Sequence, residues 1–186
     1  MRGAAPSERE GVRTEMKKIL LINGPNLNML GVREPDVYGR DTLAALEERV
    51  GGYVRSRGAE FDCFQSNHEG ALIDRLHQAH GVCDGIVYNP GAHTHYSYAL
   101  RDAVASIDVP VVEVHISDIS TREPFRNISV IAPACVAQVK GLGFAGYEKA
   151  VDILLDNDDL VPLGEGFEED RVPGLPIIVA HDLGGA

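Results

Sequence analysis

Few cysteines, few lysines and no long apolar run limit what this chain of 186 residues can be. Its cysteines, Cys63, Cys83 and Cys135, are an odd number without CxxC spacing. That argues against a disulfide framework or a structural zinc site, and we read them as buried, reduced thiols of a cytoplasmic protein. No apolar stretch reaches the length of a membrane span, and residues 1–16 form a mixed-charge extension unlike a signal peptide. A formal charge of −11 disfavours nucleic-acid and anionic-membrane partners. Eight acids against Arg171 place −7 of that charge after Leu155, so −4 remains for the body. An anionic ligand would then need locally placed arginines.

Other absences concern chemistry. No GxxxxGK occurs, and no HxxxH or HExxH spacing supports a metal site built from His93, His95 and His115. Gly141-Leu-Gly-Phe-Ala-Gly146 fits GxGxxG, but it follows the last expected strand and reads as turn glycines. The four lysines, Lys17, Lys18, Lys140 and Lys149, fall away from the ends of the first, third and fourth expected strands, which disfavours a Schiff base.

What is present is an alternation of strands and helices. Buried strands are expected at residues 17–22, 59–64, 85–89, 110–115 and 128–132. Helices are expected after Asp41 or Thr42 up to Gly58, from a capping box Ser66-Asn-His-Glu69 to Gly81, over residues 96–107, and over residues 147–155. This predicts an α/β fold: a flavodoxin-like open parallel sheet of five strands, order 2-1-3-4-5, with helices on both faces. Residues 17–155 form that domain. Residues 156–186 are an acidic, Gly/Pro-containing tail whose composition favours disorder. The alternative is that residues 177–179 dock on the body or on a neighbouring subunit.

Such sheets bind ligands beyond the carboxyl ends of their strands, between strands 1 and 3. The loops starting at Asn23 and Asn89 are dense in polar groups. Residues 23–40 form a long loop of the kind often used as a lid. Within it, a guanidinium from Arg33 would lower the pKa of Tyr38 and make it a base, unless Tyr38 simply packs under the loop. Asn89 and His95 are suited to grip hydroxyls, and Asp102, seven residues on, shares the face of His95 if both are helical. His93 reads as a packing residue. Glu113 and His115 point to one side of a strand, as a tuned general acid or as a buried structural pair. Ile116 and Ser117 offer backbone N–H groups to an anion, and Arg122 and Arg126, one turn apart, are the obvious anion clamps.

Six stretches in order resemble one family, the type II 3-dehydroquinate dehydratases: residues 23–31, Arg33-Glu-Pro with Tyr38-Gly, residues 65–70, 89–95, 113–117 and 122–126. The resemblance covers about residues 17–155. It implies cofactor-free dehydration of 3-dehydroquinate to 3-dehydroshikimate through an enolate, in the shikimate pathway. It makes Tyr38 the base at C2, assisted by Arg33, and gives Asn26 a water that steadies the enolate. His115, tuned by Glu113, would protonate the hydroxyl leaving C1. Asn89, His95 and Arg126 would hold ring hydroxyls, and the N–H groups of Ile116 and Ser117 the carboxylate. Asp102 would reach a neighbouring subunit's site, and Arg122 would stabilise the closed lid. It also implies a homo-oligomer, a dodecamer built of trimers. Two positions depart from the family pattern: His93 stands where a tyrosine is usual, and Tyr96 where a threonine is common. The rival expectations are a catalytically silent flavodoxin-like binding module and a metal-dependent hydrolase.

Overall fold

The computed structural model describes residues 16–32, 41–163 and 178–179. Arg33 and Tyr38 lie outside the described residues. Among those described, the strands are β1 (Lys18–Asn23), β2 (Glu60–Gln65), β3 (Gly85–Asn89), β4 (Val111–His115), β5 (Ala137–Lys140) and β6 (Ile178–Val179). The helices of two turns or more are α1 (Leu43–Ser56), α2 (Glu69–Ala79), α3 (Tyr98–Ala105) and α4 (Ala145–Asp156). All strands pair in parallel, in the order β2-β1-β3-β4-β5-β6. The expected five-stranded order holds, and the tail adds a sixth strand beside β5.

Strands β1, β3 and β4 are buried on both faces, in keeping with their mostly apolar sequences; Glu113 and His115 are the buried polar exceptions in β4. Ile19, Leu21, Val87, Val112 and Val114 face α1 and α4. Leu20, Ile22, Ile86, Tyr88 and Val111 face α2 and α3. Each fully buried Leu or Ile contributes about 1.5–3 kcal/mol of transfer free energy, so these two layers dominate the stability of the domain.

Several sequence expectations are corrected. The fifth strand is at Ala137–Lys140, not residues 128–132. The reason is local: Ser129 Oγ accepts from the N–H groups of Ile131 (3.1 Å) and Ala132 (2.9 Å), and Pro133 follows. Those bonds compete with a strand ladder and close a turn instead. The capping box does not form either. Ser66 stays with the end of β2, its N–H donating to the Asn23 carbonyl at 3.1 Å, and its Oγ accepts from the His68 N–H at 3.0 Å. Glu69 accepts the Ser97 hydroxyl at 2.5 Å instead of folding back. The helix predicted from residue 96 starts at Tyr98, capped by Ser97, which accepts the Leu100 N–H at 3.0 Å. Thr42 caps α1 as expected. Cys63 is exposed on the edge strand β2, whereas Cys83 and Cys135 are buried; all three are free. Lys140 is not remote from the sheet's carboxyl end: it ends β5 and is the register partner of His115. Within the tail, Ile178 and Val179 pair with Val139 and Lys140, so that segment docks on the body. No helix among the described residues is long and apolar enough to cross a membrane.

Candidate active site

A pocket opens at the carboxyl end of the sheet, where the loops after β1, β3 and β4 meet. Asn26, Asn89, His95, His115, Ile116, Ser117, Arg122 and Arg126 line it. The loops after β1 and β3 touch there: the Gly24 N–H donates to the Asn89 carbonyl at 2.7 Å. A Cβ on Gly24 would sit 2.4 Å from the Pro90 oxygen, so only glycine permits this approach.

Asn26 has φ 65°, the only positive φ at a non-glycine position among the described residues. Asparagine tolerates the left-handed region better than most residues, but the conformation still needs support. Asn67 supplies it by accepting the Asn26 N–H at 2.9 Å, and Gln65 Nε2 donates to Asn67 Oδ1 at 3.0 Å and to the Gly24 carbonyl at 3.2 Å. The 65–70 stretch therefore holds the loop that carries Asn26. Its motif was visible in sequence, but its purpose was not.

Glu113 is fully buried and His115 nearly so, and His115 Nε2 lies 2.5 Å from Glu113 Oε1. Burial by itself would raise the Glu113 pKa. The hydrogen bond and charge of His115, with hydroxyl donations from Thr94 and Ser129, outweigh it and leave that pKa below the usual value. The ionised carboxylate only accepts, so His115 Nε2 donates to it, and Nδ1 is the nitrogen left to give a proton elsewhere. Thr94 Oγ1 lies 2.5 Å from Oε1, and Ser129 Oγ 2.8 Å from Oε2. Neither residue was singled out from sequence: hydroxyls thirty-five positions apart carry no local signal.

His95 closes the other side. It sits at the end of a one-turn helix, Gly91–His95, and not at the start of α3. Its Nδ1 lies 2.8 Å from the Ile128 carbonyl. A carbonyl only accepts, so Nδ1 carries a proton. Desolvation lowers the His95 pKa, so the ring is neutral with Nε2 as a lone-pair acceptor. Asp102 is exposed on α3 and lies outside the pocket lining, so the shared face with His95 is not formed.

Asn89 lines the pocket but is already engaged. Its Nδ2 donates to the Tyr147 hydroxyl at 2.7 Å, and its Oδ1 accepts the Gly91 N–H at 3.0 Å. One amide hydrogen and one lone pair remain for a ligand. Tyr147 was missed in sequence because it reads as an ordinary apolar position of α4.

The arginines line the pocket from two separate short turns and not from one: Arg122 follows the turn Ile119–Thr121, and Arg126 ends the turn Pro124–Arg126. Arg122 Nη2 donates to Ser117 Oγ at 2.5 Å. Arg126 makes a two-pronged pair with Glu123, at 2.6 and 3.1 Å, and this pair holds the Glu123 carboxyl at a pKa of about 2. The two departures from the family pattern meet each other: His93 is buried and packs edge-on against Tyr96, ring centroids 5.7 Å apart. No group of three or more His, Cys, Asp or Glu residues suited to a metal occurs among the described residues.

Comparison with known proteins identifies the family and the fold. Residues 17–155 match the family model for class II dehydroquinase. A 3-dehydroquinate dehydratase of Bacillus mycoides is 59% identical over 141 residues, covering 76% of this chain and 97% of that protein. The crystal structure of a type II dehydroquinase from Butyrivibrio crossotus is similar with a TM-score of 0.73 and 51% identity, over 75% of this chain and 97% of that one. One from Propionibacterium acnes gives a TM-score of 0.74 at 39% identity, over 77% and 100%.

Proposed function

This chain belongs to the class II dehydroquinase family, and on that premise we propose how its residues turn 3-dehydroquinate into 3-dehydroshikimate. The reaction is a dehydration in the shikimate pathway, which leads to aromatic amino acids. The observation that carries the assignment of roles is the buried Glu113–His115 pair, opening into a pocket lined by Asn26, Asn89, His95 and the start of the loop after β4.

Tyr38 removes the proton from C2, beside the C3 ketone, with Arg33 favouring its phenolate. The electron pair passes to the ketone oxygen as an enolate, which Asn26 steadies through a water. The enolate then collapses, C1–O breaks, and His115 gives its Nδ1 proton to the departing hydroxyl, which leaves as water. The C1=C2 bond that results is conjugated with the ketone. Glu113 stabilises His115 while it holds that proton. Asn89, neutral His95 and Arg126 hold the ring hydroxyls. The N–H groups of Ile116 and Ser117 take the carboxylate, with Arg122 fixing the loop around it.

Asp102, exposed on α3, reaches the site of a neighbouring copy in a homo-oligomer, a dodecamer built of trimers, in the cytoplasm. Purified protein should convert 3-dehydroquinate into a product absorbing in the near ultraviolet, without added metal or nucleotide. Tyr38→Phe should lose at least ~100-fold in kcat while substrate still binds, the loss usual for a general acid or base. Binding without turnover by the unaltered protein would instead make it a silent binding module. Retained turnover by Tyr38→Phe would remove Tyr38 as the base.

A further inference from the structure

Residues 128–130 have a role that neither a strand nor a plain loop accounts for. Three successive residues reach three different parts of the site. The Ile128 carbonyl accepts His95 Nδ1–H at 2.8 Å. Ser129 Oγ donates to Glu113 Oε2 at 2.8 Å. The Val130 N–H donates to the Thr94 carbonyl at 2.8 Å. Thr94 is itself adjacent to His95 and gives its hydroxyl to Glu113 Oε1 at 2.5 Å.

Ser129 is the centre of this arrangement. Its single proton goes to Glu113, its oxygen accepts the N–H groups of Ile131 and Ala132, and the Thr94 hydroxyl, shared with Glu113, lies 2.8 Å from that oxygen. The two N–H bonds fold the turn that presents the Ile128 carbonyl to His95. The same oxygen therefore shapes the partner of one histidine and holds the partner of the other. Glu113 keeps three donors, His115, Thr94 and Ser129, around a carboxylate with no exposure to water. Losing one leaves an oxygen short of a partner where none can be replaced from solvent.

We propose that Ser129 is a positioning residue for the dehydration, setting the orientation of His115 through Glu113 and the tautomer of His95 through the Ile128 carbonyl. It touches no substrate. The inference rests on His115 and His95 acting as assigned above.

The test uses the full chain with Ser129→Ala and Ser129→Thr, measuring kcat and KM with 3-dehydroquinate. The imidazole nitrogen signals of His95 and His115 are followed by NMR in the ligand-free protein. The threonine keeps the hydroxyl. Ser129→Ala should lower kcat about tenfold to a hundredfold, the size usual when a partner behind a functional histidine is removed. Both histidine signals should move, with His95 no longer held in one tautomer. Ser129→Thr should restore most of the lost kcat and the signals. Unchanged kcat and unchanged signals in Ser129→Ala would overturn the proposal, as would equal impairment of the two variants. Should the alanine variant fail to fold, Ser129→Cys gives the same comparison with a weaker donor. If the unaltered protein does not turn over 3-dehydroquinate, the assigned function fails. The histidine signals then still decide whether Ser129 orients both rings.

Discussion

The Tyr147 hydroxyl, rising from α4 into the sheet, accepts a hydrogen bond from Asn89 Nδ2 at 2.7 Å and lies 3.2 Å from Asn23 Oδ1, to which it donates. One phenol thus joins the ends of β1 and β3, the two strands whose loops open the pocket. Burial pushes its pKa well up, so it stays protonated and keeps donating. Tyr147→Phe should cost about 1–3 kcal/mol, because it leaves a buried amide donor unpaired. Asn89 would then be free to turn, so KM should rise more than kcat falls. Urea unfolding and steady-state kinetics check both.

Asn26 separates a backbone role from a side-chain role. Asn26→Gly should keep stability within a few tenths of a kcal/mol, since glycine accepts φ 65° without strain. Asn26→Ala should lose about 1–2 kcal/mol, the cost of a left-handed residue with a Cβ. If the side chain holds the water that steadies the enolate, both variants should lose turnover alike. Unfolding midpoints that rank Ala with Gly would show that the loop relaxes.

Glu113 should leave a mark on the acid side of the stability curve. Its folded pKa lies below the ordinary 4.5. Its contribution is therefore fully present above the unfolded pKa and is lost as pH falls through the folded one. Unfolding free energy should decline as pH drops below about 4.5, and Glu113→Gln should show a shallower decline there. The same variant should lose at least tenfold in kcat, because His115 no longer faces a carboxylate. Denaturant melts at a series of acidic pH values measure the slope.

Truncation after Leu155 should leave turnover nearly unchanged, since none of the residues assigned to the site lies beyond it. It should lower Tm by removing the pairing of β6 with β5 and the Leu163 N–H bond to the Cys135 carbonyl. It also uncovers the edge of Ala137–Lys140, and uncovered edges invite pairing between chains. Light scattering should show more association than in the full chain. Loss of turnover on truncation would mean that the tail contributes to the site.

Much of the fold is legible because the strands β1, β3 and β4 are mostly apolar and amphipathic helices alternate with the strands along the chain. Glu113 and His115 are legible because residues two apart on a strand share a side. The fifth strand is not. Residues 128–132 (Ile-Ser-Val-Ile-Ala) are the more apolar stretch and 137–140 (Ala-Gln-Val-Lys) the more polar, so hydrophobicity favours the wrong one. A hydroxyl two residues before Ile131 turned the first run back on itself, and the second then paired with β4.

The sequence alone therefore determined the doubly covered parallel sheet, the order of its first five strands and the pocket-lining residues Asn26, Asn89, His95, His115, Ile116, Ser117, Arg122 and Arg126 at its carboxyl end. Those follow from periodicity and from chain-local rules of connection. Tertiary structure decided what holds those residues: Thr94 and Ser129 around Glu113, Ile128 on His95, Tyr147 on Asn89, Asn67 under Asn26. Each of these bonds joins segments distant in the chain, and each depends on which buried donor finds which buried acceptor once the strands have met. No local pattern encodes that pairing.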